Sequence, residues 1–258
     1  MRRARIKEAG RACYHVMNRV IGKEFLFTDE AKEEFVRIMR EVEAFSGVQV
    51  LTYCVMTNHF HLLLQVHDPA PISDEELLNR YERLAAPVTF SQFKGMWDRF
   101  EKQKSVSGLE MLRKKLLGRM NDLSEFMREL KQRFTRWYNL THDRSGGGTF
   151  WSDRYKSVLV EGRCKALTTV ATYIDLNPVR AGLVTDPKNY RWCGYAAALA
   201  GVRKAREGMR EIVKEFVAIY GRRGKQTDVF ALYRLMMFGK LDKKNPGRVT
   251  PEEIAETL

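Results

Sequence analysis

A chain of 258 residues with 44% hydrophobic and 30% charged side chains is long enough to bury one substantial core, with room for a small second unit. Its charge of +13 calls for a polyanionic partner, and nucleic acid comes before membrane because no basic amphipathic anchor stands out. No apolar run approaches the roughly 20 residues that span a bilayer, the charged start lacks the apolar stretch of a signal peptide, and Cys13, Cys54, Cys164 and Cys193 show no CxxC spacing. These features read as buried thiols in a reducing cytoplasm.

Taken along the chain, Arg11 to Arg19 holds a first strand around Tyr14-His15-Val16-Met17. Thr28 is placed to cap a helix whose first turn carries Asp29 and Glu30, suited to the positive helix end. Ala31, Phe35, Ile38, Met39, Val42 and Phe45 follow at helical spacing, and Gly47 ends the run. Val48 to Met56 is a second strand, Thr57-Asn58 a tight turn, and His59 to Val66 a third strand. Residues 68–121 open on Pro69 and Pro71 and run through charged helical segments, so they read as an insertion. Leu123, Phe126, Met127, Leu130, Phe134, Trp137 and Tyr138 mark a strongly amphipathic helix. Gly146-Gly147-Gly148 is a flexible loop, Lys156 to Glu161 a fourth strand, and Cys164 to Asn177 a helix stopped by Pro178. Residues 201–258 form a basic helical extension.

The resulting order is β-α-β-β-α-β, an α+β, ferredoxin-like antiparallel sheet with a helical insertion and a helical C-terminal extension. We expect a catalytic domain over 1–200, interrupted at 68–121, followed by the extension at 201–258.

Within the third strand, His59 and His61 are two residues apart. Strand side chains alternate between faces, so the two imidazoles share one face, with Phe60 on the other. Only five histidines occur in the whole chain, and two in this register can hold one metal ion. His15, His67 and His142 have no such partner spacing and read as structural or exposed. The later helix supplies Tyr173 and Asn177, four apart and therefore one above the other on one face. Asn177 offers an amide oxygen to a hard cation, and Tyr173 a phenol that can attack phosphorus. Asp175 faces elsewhere and is the weaker ligand candidate. On periodicity alone Tyr173 would be a core residue and Asn177 a cap.

The His-hydrophobe-His strand, followed by Tyr-Ile-x-Leu-Asn-Pro-Val-Arg-Ala-Gly-Leu-Val from Tyr173 to Val184, strongly resembles the single-tyrosine HUH transposases (the insertion-sequence-200-like family), and within them the REP-associated tyrosine transposases. Tyr14-His15-Val16, Met56 to Leu63 and Phe150 to Ser157 also match. The resemblance implies that Tyr173 is the nucleophile, that His59, His61 and Asn177 hold Mg²⁺ or Mn²⁺, and that single-stranded or hairpin DNA is cut and rejoined through a 5′-phosphotyrosine, in transposition or in a domesticated processing of REP hairpins. Relatives of this kind act as monomers or as homodimers with shared sites. A free phenol titrates near ~10, so the attack needs assistance, and Lys165 and Arg180 are the cations closest in sequence.

Arg128, Lys131, Arg136, Arg154, Lys156 and Arg180 are candidate DNA contacts. Trp137, Tyr138, Phe150, Trp151 and Trp192 could stack bases, although core packing is the better expectation for each. The alternative function is a non-catalytic module that binds nucleic-acid hairpins, but no RNP-type aromatic string is present. A replication or conjugation nickase fits less well, because the tyrosine lies far C-terminal to the histidines.

Overall fold

The sheet forms where short apolar runs, rich in β-branched and aromatic residues, lie between turns. A computed structural model describes residues 10–142, 148–160, 164–220 and 228–239. β1 (Ala12–Arg19), β2 (Gln49–Val55), β3 (His59–Val66) and β4 (Lys156–Val160) make one four-stranded antiparallel sheet in the order β2-β3-β1-β4. This order puts β1 beside β3, as a ferredoxin-like plan requires. His15 lies opposite Val158 and Met17 opposite Lys156 across β1 and β4, and Cys54 lies opposite His61 across β2 and β3. Between Val50 and Thr52 the register of β2 slips, a bulge that bends the strand locally.

α1 (Asp29–Ser46) starts as its sequence requires. The Thr28 hydroxyl accepts from the Ala31 N–H at 3.2 Å, and Gly47 leaves the helix at φ +72, the left-handed conformation that favours glycine at a helix end. Among the described residues the chain divides into two compact units. One takes in the residues up to Lys32, Gln49–Gln65 and those from Thr149 onward; the other takes in Glu33–Val48 and Val66–Gly148.

The second unit is helical. It holds most of α1 together with α2 (Asp74–Leu84), α3 (Pro87–Lys102), α4 (Val106–Leu117) and α5 (Leu123–Thr141). The helical insertion expected at 68–121 is thus three helices. Ser73, Ser105 and Asp122 cap α2, α4 and α5 by accepting backbone N–H groups in their first turns. The apolar stripe of α5 is buried as its spacing predicts except at Trp137, which is half-buried, and Phe134 meets Phe35 edge to face at 5.3 Å. Asn121, at φ +52, donates its N–H to the Ser46 carbonyl at 2.8 Å.

The first unit adds α6 (Cys164–Asp175), α7 (Asn177–Arg180), α8 (Gly194–Leu199), α9 (Arg203–Tyr220) and α10 (Val229–Phe238). α6, α8 and α9 all pack on β2, and α10 packs on α9 and α6, so α9 and α10 belong to the same unit as the sheet. Two glycines make this approach possible. A Cβ on Gly208 of α9 would sit 2.2 Å from the Leu51 carbonyl oxygen, and one on Gly194 would sit 2.1 Å from Thr52 Oγ1. Gly208→Ala is therefore expected to destabilise the protein by about 2 kcal/mol or more, since the blocking atom is backbone at the bulge. Urea unfolding should show a lower midpoint with an unchanged slope.

Pro178 does not end the helical path. It sits in the first turn of α7, where a missing N–H costs nothing because that N–H would lack a partner anyway. Cys13, Cys54 and Cys193 are buried free thiols, as expected. The Cys164 side chain, Glu161, Gly146 and Gly147, and residues 240–258 of the extension lie outside what the structure describes. No helix among the described residues is long and apolar enough to cross a membrane.

Candidate active site

The alternation of β3 puts His59 and His61 on one face, with ring centroids 5.0 Å apart. The strand order then supplies a third imidazole. His15, on the neighbouring β1, places Nε2 3.0 Å from His61 Nδ1, and the two rings stack at 5.2 Å. This corrects the expectation that His15 has no partner. Its signal was present in Tyr14-His15-Val16, but it becomes readable only once β1 is known to lie beside β3.

All three histidines are held below the ordinary imidazole range. Burial is the main cause in each; the positive charge of Arg19 adds to it at His59, and the other two imidazoles and Arg19 add to it at His61. His61, 3% exposed, is pushed down to about 3. It is neutral at any ordinary pH, the form that can donate a lone pair. His59 Nδ1 lies 2.7 Å from Asn58 Oδ1. That oxygen only accepts, so Nδ1 carries the proton and the lone pair falls on Nε2. Such a partner orients a metal-binding histidine. When His61 donates Nδ1–H to His15, its own lone pair is on Nε2 as well.

α6 brings Tyr173 to this group. Its ring centroid is 5.9 Å from that of His61 and 6.1 Å from that of His15, both edge to face. Tyr173 is 40% exposed, unusual for a large aromatic residue next to a buried imidazole and unlike the core tyrosine that periodicity alone suggests. The Arg180 guanidinium stands over the ring, 4.7 Å from its centre. Asn177, one turn on, donates its amide N–H groups to the Tyr173 and Ile174 carbonyls at 3.0 and 3.2 Å. It therefore caps α6, and this fixes the orientation of its amide, leaving the oxygen as the acceptor end.

Asp175 does something else. It is fully buried and accepts from the Thr52 hydroxyl at 2.9 Å, the Tyr195 N–H at 3.2 Å and the Tyr233 hydroxyl at 2.6 Å. Burial pushes its carboxyl up to about 6 against the pull of these three donors. It joins α6 to β2, α8 and α10, and so anchors the helix that carries Tyr173.

The cations expected to meet DNA divide into two kinds. On α5, Arg128 pairs with Glu125, and the neighbouring Arg133 with Glu129 at 2.6 Å, while Lys131 is half-buried and Arg136 exposed. Arg154, Lys156 and Arg180 are exposed on the unit that holds the tyrosine and histidines. Among the aromatic residues, Tyr138, Phe150 and Trp151 are buried, as the core reading requires. Trp192 is covered by Lys32, whose ammonium lies 4.1 Å from the ring centre. His142 stacks on Tyr138 at 3.9 Å, a structural role.

Among the described residues no group of three or more His, Cys, Asp or Glu side chains is arranged to hold a metal ion. A divalent ion at this place would take two neutral imidazoles and complete its shell with oxygen. The donor chemistry of His59, His61 and the Asn177 amide oxygen fits that demand.

The fold and site thus define a histidine and tyrosine centre on a ferredoxin-like sheet in a basic protein. Residues 9–103 match the family model described as "Transposase IS200 like", which bears out the resemblance over that stretch. It takes in His15, His59 and His61 and ends before Tyr173. Two solved structures are similar. One is a REP-associated tyrosine transposase bound to a REP hairpin, at 15% identity over 78% of this chain and 86% of that one, with a TM-score of 0.47. The other is a Deinococcus radiodurans R1 protein described as a transposase, at 16% identity over 68% and 96%, with a TM-score of 0.34. At these scores neither likeness assigns a function. No curated protein matches the chain.

Proposed function

We propose that this protein is a metal-dependent tyrosine transposase that cleaves and rejoins single-stranded DNA beside a hairpin. The observation that carries this reading is an exposed phenol, Tyr173, set within ring contact of His61 and His15 under a guanidinium. The family match over residues 9–103 supports the transposase class.

Tyr173 attacks the phosphorus of a phosphodiester. As its oxygen bonds to phosphorus, its proton passes to solvent. The bond from phosphorus to the 3′ oxygen breaks, and that oxygen takes up a proton and leaves as a 3′-hydroxyl. One phosphoester bond is exchanged for another, so a different 3′-hydroxyl can reverse the step and rejoin a strand without ATP. His59, His61 and Asn177 would hold Mg²⁺ or Mn²⁺, and the ion would supply Lewis-acid charge neutralisation at the scissile phosphate. Arg180 keeps the ring in place by stacking on it. Arg154 and Lys156 contact phosphates on the unit that holds Tyr173, and Arg128, Lys131 and Arg136 are separate candidate phosphate contacts on the helical unit. The protein works in the cytoplasm, as a monomer or homodimer.

The test uses labelled single-stranded hairpins from the DNA that flanks the coding sequence, incubated with Mg²⁺ or Mn²⁺. A covalent protein–DNA band is expected on a denaturing gel, absent in Tyr173→Phe. Tight binding with no adduct under either metal would instead identify a hairpin-binding module without catalysis.

A further inference from the structure

The histidine face of the sheet extends past the histidines. In an antiparallel pair, residues directly opposite each other point to the same side. Val158 lies opposite His15 and Lys156 opposite Met17, so both share the face of the imidazoles. Arg19, two residues beyond Met17 on β1, joins them by alternation. α6, α8 and α9 pack on β2, and α6 also meets β4; the part of this face at Val158, Lys156 and Arg19 is exposed. Val158 is 62% exposed there, a large value for an apolar side chain in a sheet, and Arg19 and Lys156 are exposed with it.

The main chain at Arg19 is well fixed. Its carbonyl accepts the Ser152 N–H at 3.0 Å and the Ser152 hydroxyl at 3.2 Å, and Val20 bridges to Trp151. Its charge reaches His59 and His61. Among the described residues neither Arg19, Lys156 nor Arg180 has a carboxylate partner, whereas Arg128, Arg133 and Arg203 each pair with a glutamate. Arg19, Lys156 and Arg180 thus stand without counter-charge on the unit that carries Tyr173, and Arg180 lies against its ring. Positive groups left together without counter-charge repel one another, and a polyanion relieves this.

We infer that the exposed part of this face on β1 and β4, at Arg19, Lys156 and Val158, seats the single strand that enters the site. Arg19 and Lys156 take backbone phosphates, and Val158 with Met17 forms an apolar floor under an unpaired base. The occupant is single-stranded because a base can lie on the floor only when it is unpaired. This inference rests on the reading of the chain as a single-strand transposase.

The experiment measures binding rather than cleavage, so the two readings fail separately. Full-length protein carrying Tyr173→Phe is titrated with a fluorescent oligodeoxythymidylate about 15 nucleotides long over a range of salt. Adding Arg19→Gln and Lys156→Gln should weaken binding about tenfold and lower the salt slope by about 1.4, since each single-strand phosphate contact contributes about 0.7. Arg203→Gln with Lys204→Gln removes the same charge from cations already paired with Glu207 and should leave affinity and slope nearly unchanged. Unchanged binding in the first variant, an equal drop in the second, or no binding by the parent protein would each overturn the inference. Where Arg19→Gln impairs folding, Lys156→Gln alone should still lower the slope by about 0.7. A protein that binds in this way yet forms no adduct with Tyr173 intact would count against the proposed reaction and leave this subsite standing.

Discussion

Replacing His59 and His61 together with alanine is expected to abolish metal-dependent cleavage, by about 10³-fold or more, while hairpin binding stays within about threefold of the parent. Both imidazoles are neutral donors, and His59 is oriented by Asn58. A bound divalent ion contributes several kcal/mol to charge stabilisation in phosphoryl transfer, which is the stated loss in rate. Binding should survive because affinity for nucleic acid comes mainly from Lys and Arg contacts to phosphate. Calorimetric titration with Mn²⁺ should give a binding signal for the parent protein and none for the variant, and a chelator should stop cleavage by the parent. His61 is buried, so His59→Ala alone, at a half-buried position, guards against a folding defect and should show the same loss. A double variant that still cut DNA would show that the metal assignment is wrong.

Asp175→Ala should give the largest loss of stability of any change in the first unit, about 3–5 kcal/mol. The carboxylate is fully buried and receives three donors from three elements, the Thr52 hydroxyl, the Tyr195 N–H and the Tyr233 hydroxyl. Removing it leaves those donors without their acceptor in a place water does not reach. Tyr233→Phe removes one donor only and should cost about 1.5–3 kcal/mol, the range for a hydrogen bond to a charged group. Urea unfolding should rank the two variants in that order. A loss below about 1 kcal/mol for Asp175→Ala would mean that the three elements are held together by apolar packing instead.

The sheet was readable because its strands are short runs of apolar, β-branched and aromatic residues between turn residues, with side chains in alternation between the two faces; β1, β2, β3 and β4 lie where Tyr14 to Met17, Val48 to Met56, His59 to Val66 and Lys156 to Glu161 placed them. The same alternation made the His59 and His61 pair legible from three residues. What escaped depends on contacts between distant segments. His15 meets His61 across 46 positions, and Thr52 meets Asp175 across 123. Helical spacing turned Asp175 away from Tyr173 and made it a weak ligand candidate, but nothing in that spacing shows that β2, α8 and α10 converge on it. Pro178 reads as a stop because proline breaks helix interiors; here it opens α7 instead. Gly194 and Gly208 carry no sequence signal of their own, since their role depends on where β2 bulges. Arg19 was passed over because one arginine at a strand end looks like any other until its neighbours on the face are known.

The central claim is that Tyr173 becomes covalently joined to DNA. The most direct measurement is mass spectrometry of proteolysed adduct after nuclease trimming. The expected result is a residual nucleotide linked through its 5′ phosphate to the peptide that contains Tyr173, formed only when divalent metal is present. A nucleotide on any other residue, or an adduct of unchanged yield in Tyr173→Phe, would contradict it.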